Sequence, residues 1–565
     1  MRSADLSPTN PLTDDLKLNA ALLFASGGDF QDCIDTLELI NPQNLNNRQF
    51  VDYSLIAAEA LVELYDPQSA LEVFDDPRLK TLGTGFSRML RQRLLSIQAR
   101  AQFSLGNNDL GFKALIDLSK TVKRKADIRD IHDQIWAQIS RLPYQYLKDG
   151  SNQDEVILAG WLQLGAASRL QQSSPNNQFD IYSEWKQRWK SHPAARVAPT
   201  AISRSKRRYR YPDQVALLLP LQDQYKIPSY TVIDGFLEAY YQTLSTTENN
   251  RDKAPEIRIY DTSKGSIESH YNQAVQNGAD MVIGPLRQPQ VERLATSPLL
   301  PVPTLSLNRL DNDQAVQAEN FYQFGLSPTD ELTQIADRAW NKGFRNVLLI
   351  VPDSNWGVHS AEFFNDYWVA KGGNLLEDVR YPSSTQDFTR LLKPPLHIDL
   401  SEQRGLQIKR FINSRIKFTA RRRQDIDLVV VLGYPLKARQ IKPALDFLYA
   451  SDIPVIATSH IYNGSQQEAL DRDLSGIQFS SMHWTLPGHL TKELTMDNQL
   501  HTAYRHLYAV GHDAFLVYRN LNHLINTQST PIFGATGLLY LRNNMLAREQ
   551  KWAEYNRGKV VEIHY

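Results

Sequence analysis

Apolar residues follow two different periodicities along this chain. Over residues 12–170 they recur three or four positions apart, as in Leu16, Ala20 and Leu23, and β-branched runs are scarce. That spacing gathers apolar side chains on one face of a helix, so it predicts an all-helical region. After residue 213, short β-branched runs alternate with helical stretches, which is typical of a parallel sheet with crossover helices. The sequence therefore predicts a helical half followed by an α/β half.

Three stretches of the helical half share one plan: a helix, a polar turn with an acidic residue, and a second helix. Their turn acids are Asp29, Asp66 and Asp109, which lie 37 and 43 residues apart. These spacings bracket the period of helix-turn-helix solenoids of the tetratricopeptide kind. An irregular helical bundle is the alternative. No single residue stands out in this half, so we assign no site there.

A segment with several prolines and basic residues separates the two halves. Residues 191–213 contain Pro193, Pro199, Pro212 and a basic cluster at 204–210. This composition suits an exposed linker, and the basic cluster is either solvated or able to contact phosphate groups. We therefore divide the chain into a tetratricopeptide-like domain at 1–190, a Pro-rich basic linker at 191–213 and a two-lobe α/β domain at 214–565.

The α/β half contains two similar sets of predicted strands. The first set covers 215–219, 256–260, 280–284 and 303–307, and the second covers 346–351, 374–381, 428–432 and 455–457. Two such lobes in tandem leave a cleft between them, because ligands of these sheets bind beyond the carboxyl ends of the strands.

Candidate contact residues follow the ends of these strands. They are Ser306, Asn308, Trp356, Gly357, Thr458, Ser459, His460 and Tyr462. Hydroxyl and imidazole groups at such places suit a small ligand, and they equally suit the capping of a turn. A tryptophan there is suited to stacking on a sugar or to filling the cleft itself.

Composition and motifs narrow the function classes. The 62 Lys and Arg residues balance the 62 Asp and Glu residues, so no global field attracts nucleic acid or an acidic membrane. A single cysteine, Cys33, excludes an intrachain disulfide and every multi-cysteine metal site. The sequence contains no phosphate-binding loop, HExxH helix or GxSxG elbow. We assign no catalytic, cofactor-binding or metal-ligating residue and expect a protein that is not an enzyme.

Several motifs resemble those of known families. VALLLPL (215–221), GADMVIGPL (278–286) and PTLSLN (303–308), in this order, resemble the type I periplasmic binding proteins. Residues 421–464, together with GHDAF (511–515), resemble the LpoA (LppC) family of penicillin-binding-protein activators. In that family a tetratricopeptide-like domain precedes a two-lobe domain of the type I periplasmic-binding-protein kind, which is the division predicted above.

The resemblance implies a regulator of peptidoglycan synthesis. It would bind and stimulate a bifunctional class A penicillin-binding protein in the periplasm from the outer-membrane side, with peptidoglycan as a further candidate partner and no nucleic acid. A periplasmic solute-binding protein that captures an amino acid or a muropeptide in the cleft is the alternative.

The family's lipid anchor has no counterpart among the residues printed here. The first twenty residues lack a continuous apolar segment, and Cys33 lies in a predicted amphipathic helix, where we expect it to be buried. Either this sequence is a shortened form of an exported precursor or this family member is unanchored; we expect the first.

A basic triplet precedes the strand at 428–432. Arg421, Arg422 and Arg423 end a stretch from Lys409 that holds seven basic residues and no acidic one. Guanidinium groups suit the carboxylates of a partner protein or of a peptidoglycan stem peptide. The alternative, which we favour, is pairing with Asp425, Asp427 or other nearby acids.

Overall fold

The first half of the molecule is helical, as predicted. The computed structural model describes residues 11–152, 155–170, 172, 178–204, 212–246, 255–297, 300–310, 318–412, 417–487, 504–526 and 530–563. The helices of the first half are α1 (Pro11–Gly27), α2 (Phe30–Glu38), α3 (Asn47–Glu63), α4 (Pro67–Val73), α5 (Pro77–Gly83), α6 (Arg88–Ser104), α7 (Asn108–Thr121), α8 (Lys125–Ile139), α9 (Tyr144–Gly150), α10 (Val156–Leu170), α11 (Gln178–Arg188), α12 (Pro193–Arg196) and α13 (Thr200–Arg204).

The acidic turn residues stand where the second helix of each predicted hairpin begins. Asp29 precedes α2, Asp66 precedes α4, and Asp109 lies in the first turn of α7. The Asp66 carboxylate accepts a hydrogen bond from Ser69 N at 3.0 Å, which satisfies a backbone donor that has no partner within the helix. The apolar faces of these helices form two hydrophobic cores, and Cys33 is buried in one of them, as expected.

Part of the predicted linker belongs to the helical core. Within 191–213, the buried residues include Ala194, Ala195, Ala201 and Ile202. The ring of the buried His192 bonds to Ile157 O at 2.8 Å. The expectation of an exposed segment is therefore wrong for most of residues 192–202, where only Arg196 is exposed, because small alanine side chains allow α12 and α13 to pack closely. The basic residues at 205–211 lie outside the described residues.

The second half contains two sheets, which define two lobes. The first-lobe strands are β1 (Gln214–Leu219), β2 (Glu256–Asp261), β3 (Met281–Ile283), β4 (Thr304–Ser306), β5 (Phe321–Gln323), β11 (Ile532–Phe533), β12 (Leu538–Arg542) and β13 (Met545–Glu549). The second-lobe strands are β6 (Asn346–Pro352), β7 (Asn374–Tyr381), β8 (Leu428–Val431), β9 (Val455–Ala457), β10 (Ile477–Ser481), β14 (Lys551–Asn556) and β15 (Lys559–Ile563). The strand orders are β11-β12-β13-β5-β4-β3-β1-β2 and β15-β14-β10-β9-β8-β6-β7.

Helices cover both faces of each sheet. They are α14 (Lys226–Thr246), α15 (Ile267–Gln276), α16 (Gln288–Ala295), α17 (Pro328–Asn341), α18 (Asn355–Ala370), α19 (Phe388–Leu392), α20 (Ile398–Ile412), α21 (Pro435–Phe447), α22 (Glu468–Asp471) and α23 (Arg505–Asn526). Each sheet has a separate hydrophobic core on each of its faces. The chain passes between the lobes after β5, after β10 and between β13 and β14. Within the described residues, no helix has the length and apolar character needed to span a bilayer.

All eight predicted strands are present, and they pair in parallel within their lobes. The two-lobe α/β fold class is therefore confirmed. The prediction missed β5, the strands from β10 to β15, and the helices α20, α22 and α23. The strands β13, β14 and β15 were missed because they belong to antiparallel pairs in which buried and more exposed side chains alternate, so they leave no continuous apolar run.

The two halves contact each other through side chains of the helical half and the first lobe. Arg141, which follows α8, bonds to Glu549 at 2.7 Å and to Tyr540 OH at 2.8 Å. Arg169 lies over the Phe533 ring at 4.2 Å. These contacts join α8 and α10 to β11, β12 and β13, so the helical half packs against the edge of the first-lobe sheet.

Candidate functional site

Three neighbouring strands of the second lobe bring aromatic side chains together at their carboxyl ends. Trp356 follows β6, Tyr434 follows β8 and His460 follows β9. The Trp356 and His460 ring centroids are 4.6 Å apart, and those of Trp356 and Tyr434 are 6.2 Å apart. We call these three residues the aromatic group. Sequence reasoning named Trp356 and His460 but missed Tyr434, although its position directly after a strand was the available signal.

The helix that carries Trp356 begins unusually close to the preceding strand. Ser354 caps α18 by accepting a hydrogen bond from Gly357 N at 3.2 Å. A Cβ atom on Gly357 would lie 2.0 Å from Pro352 O, so no larger residue fits there without moving the backbone. The candidate Gly357 therefore positions α18 and, with it, the Trp356 ring.

Ser459 binds a buried carboxylate. Glu331, in the first turn of α17, accepts hydrogen bonds from Ser459 N at 3.1 Å and from Ser459 Oγ at 2.6 Å. Gln550, between β13 and β14, donates to the same carboxylate at 3.2 Å. The hydroxyl of Ser459 thus connects the end of β9 to α17, which follows the first passage of the chain from one lobe to the other.

Two polar atoms beside the aromatic group are buried without a hydrogen-bond partner in the structure. They are Thr458 Oγ1 and His460 Nδ1. Leaving such atoms unpaired away from water costs free energy, so a group that supplied the missing bonds would be stabilised here. Thr458 and His460 are the predicted residues that keep hydrogen-bonding capacity at this edge.

The predicted residues of the first lobe have their polar groups occupied. Ser306, at the end of β4, is buried and donates from Oγ to Asn308 O at 2.7 Å. Asn308 Nδ2 donates to Leu286 O at 3.1 Å, and its Oδ1 accepts from Arg309 N at 2.9 Å. These bonds close the loop after β4 on itself. Among the described contacts, none joins Ser306 or Asn308 to the aromatic group.

Tyr462 lies in the hydrophobic core of the second lobe. Its ring packs against Phe479 and Tyr555, with centroids 5.6 and 6.3 Å away. Burial raises the pKa of its phenol to about 12. The structure thus places Tyr462 among core residues, apart from the other predicted residues that follow β9.

The basic triplet divides into one exposed and two paired arginines. Arg422 is buried and bonds to Asp452 at 2.5 Å and to Tyr449 O at 3.0 Å. Arg423 forms a two-pronged ion pair with Asp425, at 2.7 and 2.6 Å, which lowers the pKa of that carboxyl to about 2. Arg421 is exposed. Of the three, Arg421 is therefore the one whose side chain is available to a partner.

Charged side chains bridge the lobes behind this edge. Arg309, which follows β4, pairs with Asp330 of α17 at 2.6 Å. His506 of α23 lies near Glu331 and His460. Burial lowers the pKa of His506; Glu331 opposes this shift, whereas His460, Arg548 and Arg505 reinforce it. The protein's own charged side chains thus connect the two lobes across the cleft.

A family profile described as "LppC putative lipoprotein" matches residues 4–558. The chain belongs to the LppC family. Its relatives include the penicillin-binding protein activator LpoA of Glaesserella parasuis, 25% identical over 94% of this chain and 85% of that protein. Another is the penicillin-binding protein activator LpoA of Mannheimia succiniciproducens, 26% identical over 92% of this chain and 84% of that protein.

Solved structures of LppC relatives also match this chain. Full-length LpoA of Haemophilus influenzae is 22% identical, with a TM-score of 0.47 over 98% of this chain and 95% of that chain. The C-domain of the same protein, described as a regulator of PBP1A, gives a TM-score of 0.46 over 62% of this chain and 99% of that chain.

The LppC resemblance of GHDAF (511–515) has a physical explanation in α23. A Cβ atom on Gly511 would lie 2.0 Å from Val232 O, so glycine lets α23 approach α14 closely. The buried Asp513 accepts hydrogen bonds from Ala535 N, Thr536 N and Thr536 Oγ1. The motif therefore holds the first-lobe core and the loop after β11 together, and it does not belong to the aromatic group.

Proposed function

We propose that this chain is a regulator that binds and stimulates a penicillin-binding protein. Membership of the LppC family over residues 4–558 carries the proposal, because its relatives over nearly the whole chain are named penicillin-binding protein activators. The partner that fits this role is a bifunctional class A synthase. The chain would act without catalysis of its own, in the periplasm and on the outer-membrane side of the synthase, with peptidoglycan as a further contact.

The mechanism is a shift between conformations of the synthase. A regulator that binds an active conformation more tightly than an inactive one raises the active fraction. The gain is limited by the ratio of the two affinities, so a tenfold ratio shifts the equilibrium by about 1.4 kcal/mol. Such a mechanism needs a docking surface and does not need converging catalytic groups.

The test is a reconstituted synthase assay. Glycan polymerisation and peptide crosslinking by a purified class A penicillin-binding protein are measured with and without saturating amounts of the full chain. We expect both the chain's binding to the synthase and a rise in at least one of the two activities. If neither appears, the activator proposal fails and the cleft becomes the place to search.

One observation favours a second candidate function. Thr458 Oγ1 and His460 Nδ1 are buried without partners beside the aromatic group, as a small-ligand subsite would require. The candidate is a solute-binding protein that takes an amino acid or a muropeptide at this edge. Thermal stability in the presence of such solutes separates it from the activator.

A further inference from the structure

The last two turns of α20 expose an unusual set of large apolar side chains. Leu406, Ile408, Phe411 and Ile412 are all exposed, and Phe411 is 90% exposed. Single exposed apolar residues are ordinary, but a contiguous group is typical of an interaction surface. Every residue from 406 to 412 is exposed, so this end of α20 projects from the second lobe.

The projecting end continues the helix face that is buried earlier in α20. Ser401 and Gly405 are buried, and the Phe418 side chain lies against Gly405. Ile408 and Ile412 follow at the helical spacing that keeps them on the same face, yet both are exposed. The apolar face of α20 therefore continues beyond the part that packs on the second lobe, and a binding partner is needed to cover it.

Positive charge surrounds these apolar residues. The sequence from 403 to 424 contains no Asp or Glu. Its described cations include Lys409, Arg410, Lys417 and Arg421, all of them exposed. Arg422 and Arg423 are excluded from this set because they are paired with Asp452 and Asp425. Charge complementarity therefore calls for a partner with an apolar surface bordered by carboxylates.

The arrangement fits a protein groove better than a lipid surface. Leu406 and Ile408 are two positions apart, so they point to nearly opposite sides of the helix, and both are exposed. A flat membrane surface accepts only one side of a helix. A groove in a protein can enclose both sides, as in helix-in-groove recognition.

We propose that Leu406, Ile408, Phe411 and Ile412, with Lys409 and Arg410, form the surface through which this chain docks into an acidic, apolar groove of the penicillin-binding protein. This α20 docking surface rests on the proposed function and specifies where the partner binds. Phe411 supplies the central apolar anchor, and the two cations speed association and fix the orientation.

The experiment measures binding of the full chain to a purified class A penicillin-binding protein by surface plasmon resonance. The test variant is Ile408→Ser with Phe411→Ser. Its matched control is Val369→Ser with Leu470→Ser, which removes two other exposed apolar side chains of the same lobe. We expect the dissociation constant to rise at least about tenfold for the test variant and to change less than about twofold for the control. Since all four residues are exposed, thermal unfolding should be the same for every variant.

A second variant tests the role of charge. Lys409→Glu with Arg410→Glu should lower the association rate, and it should weaken the dependence of that rate on salt. An unchanged association rate at low salt would overturn the charge-complementarity argument.

The outcomes separate the two proposals. If the unmodified chain binds no synthase, the proposed function fails and this surface assignment falls with it. If the chain binds and Ile408→Ser with Phe411→Ser binds equally well, only the α20 docking surface is overturned. A third outcome would identify the surface as a lipid contact. In that case the unmodified chain co-sediments with phosphatidylglycerol vesicles, Ile408→Ser with Phe411→Ser abolishes this co-sedimentation, and synthase binding is unaffected. The α20 docking surface would then be wrong.

Discussion

The two lobes differ in what they leave available at the ends of their strands. In the first lobe, the side chains of Ser306 and Asn308 donate hydrogen bonds to backbone carbonyls of the loops after β4 and β3. In the second lobe, Trp356, Tyr434 and His460 meet across three strand ends, and His460 Nδ1 has no partner in the structure. The predicted residues of the first lobe thus bond within their own lobe, whereas His460 in the second lobe keeps an unpaired ring nitrogen. Thr262 Oγ1, directly after β2, is also buried without a partner, so the contrast applies to the predicted residues and not to the whole sheet edge.

This asymmetry bears on function. Lobes that close around a solute do so because the ligand bonds to groups on both sides of the cleft. Here the first-lobe residues predicted to contact a ligand are occupied, and Arg309 reaches across to Asp330 of α17. The comparison favours a protein that acts through its outer surfaces, and three measurements test it.

The largest expected effect comes from the two candidate serines. Ser459 Oγ donates to the buried Glu331 carboxylate at 2.6 Å, whereas Ser306 Oγ donates to a neutral carbonyl at 2.7 Å. Hydrogen bonds to charged groups contribute about 1.5–3 kcal/mol and neutral ones about 1 kcal/mol. Ser459→Ala should therefore lower the free energy of unfolding by about 2–3 kcal/mol, and the matched Ser306→Ala by about 1 kcal/mol, in urea denaturation.

A double-mutant cycle assigns that loss. With Glu331→Gln as the background, Ser459→Ala should cost clearly less than it does in the unmodified chain, because the acceptor is no longer charged. Equal losses for Ser459→Ala and Ser306→Ala would show that the two strand ends are energetically alike, and the comparison between the lobes would not hold.

A smaller effect is expected from acid. Burial lowers the pKa of His506 in the folded protein, where Glu331, His460, Arg548 and Arg505 surround it. The unfolded chain, with a histidine pKa of about 6.5, binds this proton more readily. The stability that the neutral ring contributes is therefore complete above about pH 6.5 and is lost as the pH falls toward the lower folded pKa.

The corresponding measurement compares His506→Gln with the unmodified chain across that range. Glutamine cannot be protonated, so the unfolding midpoint of His506→Gln should fall less between pH 7.5 and pH 5. The effect is smaller than that of Ser459→Ala because His506 is only partly buried. If the unfolding midpoints of the two proteins change in parallel with pH, protonation of His506 does not affect stability at the contact between the lobes.

The sequence predicted those parts of the fold that leave a local pattern. Strands such as β1 and β8 are buried on both faces, so they appear as continuous apolar runs. Residues 192–202 were misjudged because prolines and basic residues suggested exposure, while the burial of Ala194 depends on helices that lie elsewhere in the chain.

The candidate site was predicted only in part for the same reason. Strand ends identified Trp356, Thr458 and His460, since a strand end is a local feature. Pairing across the chain decides the rest: Arg422 meets Asp452, which lies 30 residues further along. No periodicity records such a contact, and none records that residues 406–412 at the end of α20 are exposed.

The addition of small solutes should change the stability of the chain least. A solute bound with a dissociation constant of about 10 μM would stabilise the chain by about 2.7 kcal/mol at about 1 mM, and a domain of this size would gain several degrees in Tm. We expect amino acids and soluble muropeptides to shift the Tm by less than about 1 °C, because Ser306 and Asn308 offer no free group from the first lobe. The control is Trp356→Ala, which removes one of the three rings of the aromatic group. A shift of several degrees that this variant abolishes would mean that the second lobe alone binds the solute, and solute binding would then have to be added to the proposed function.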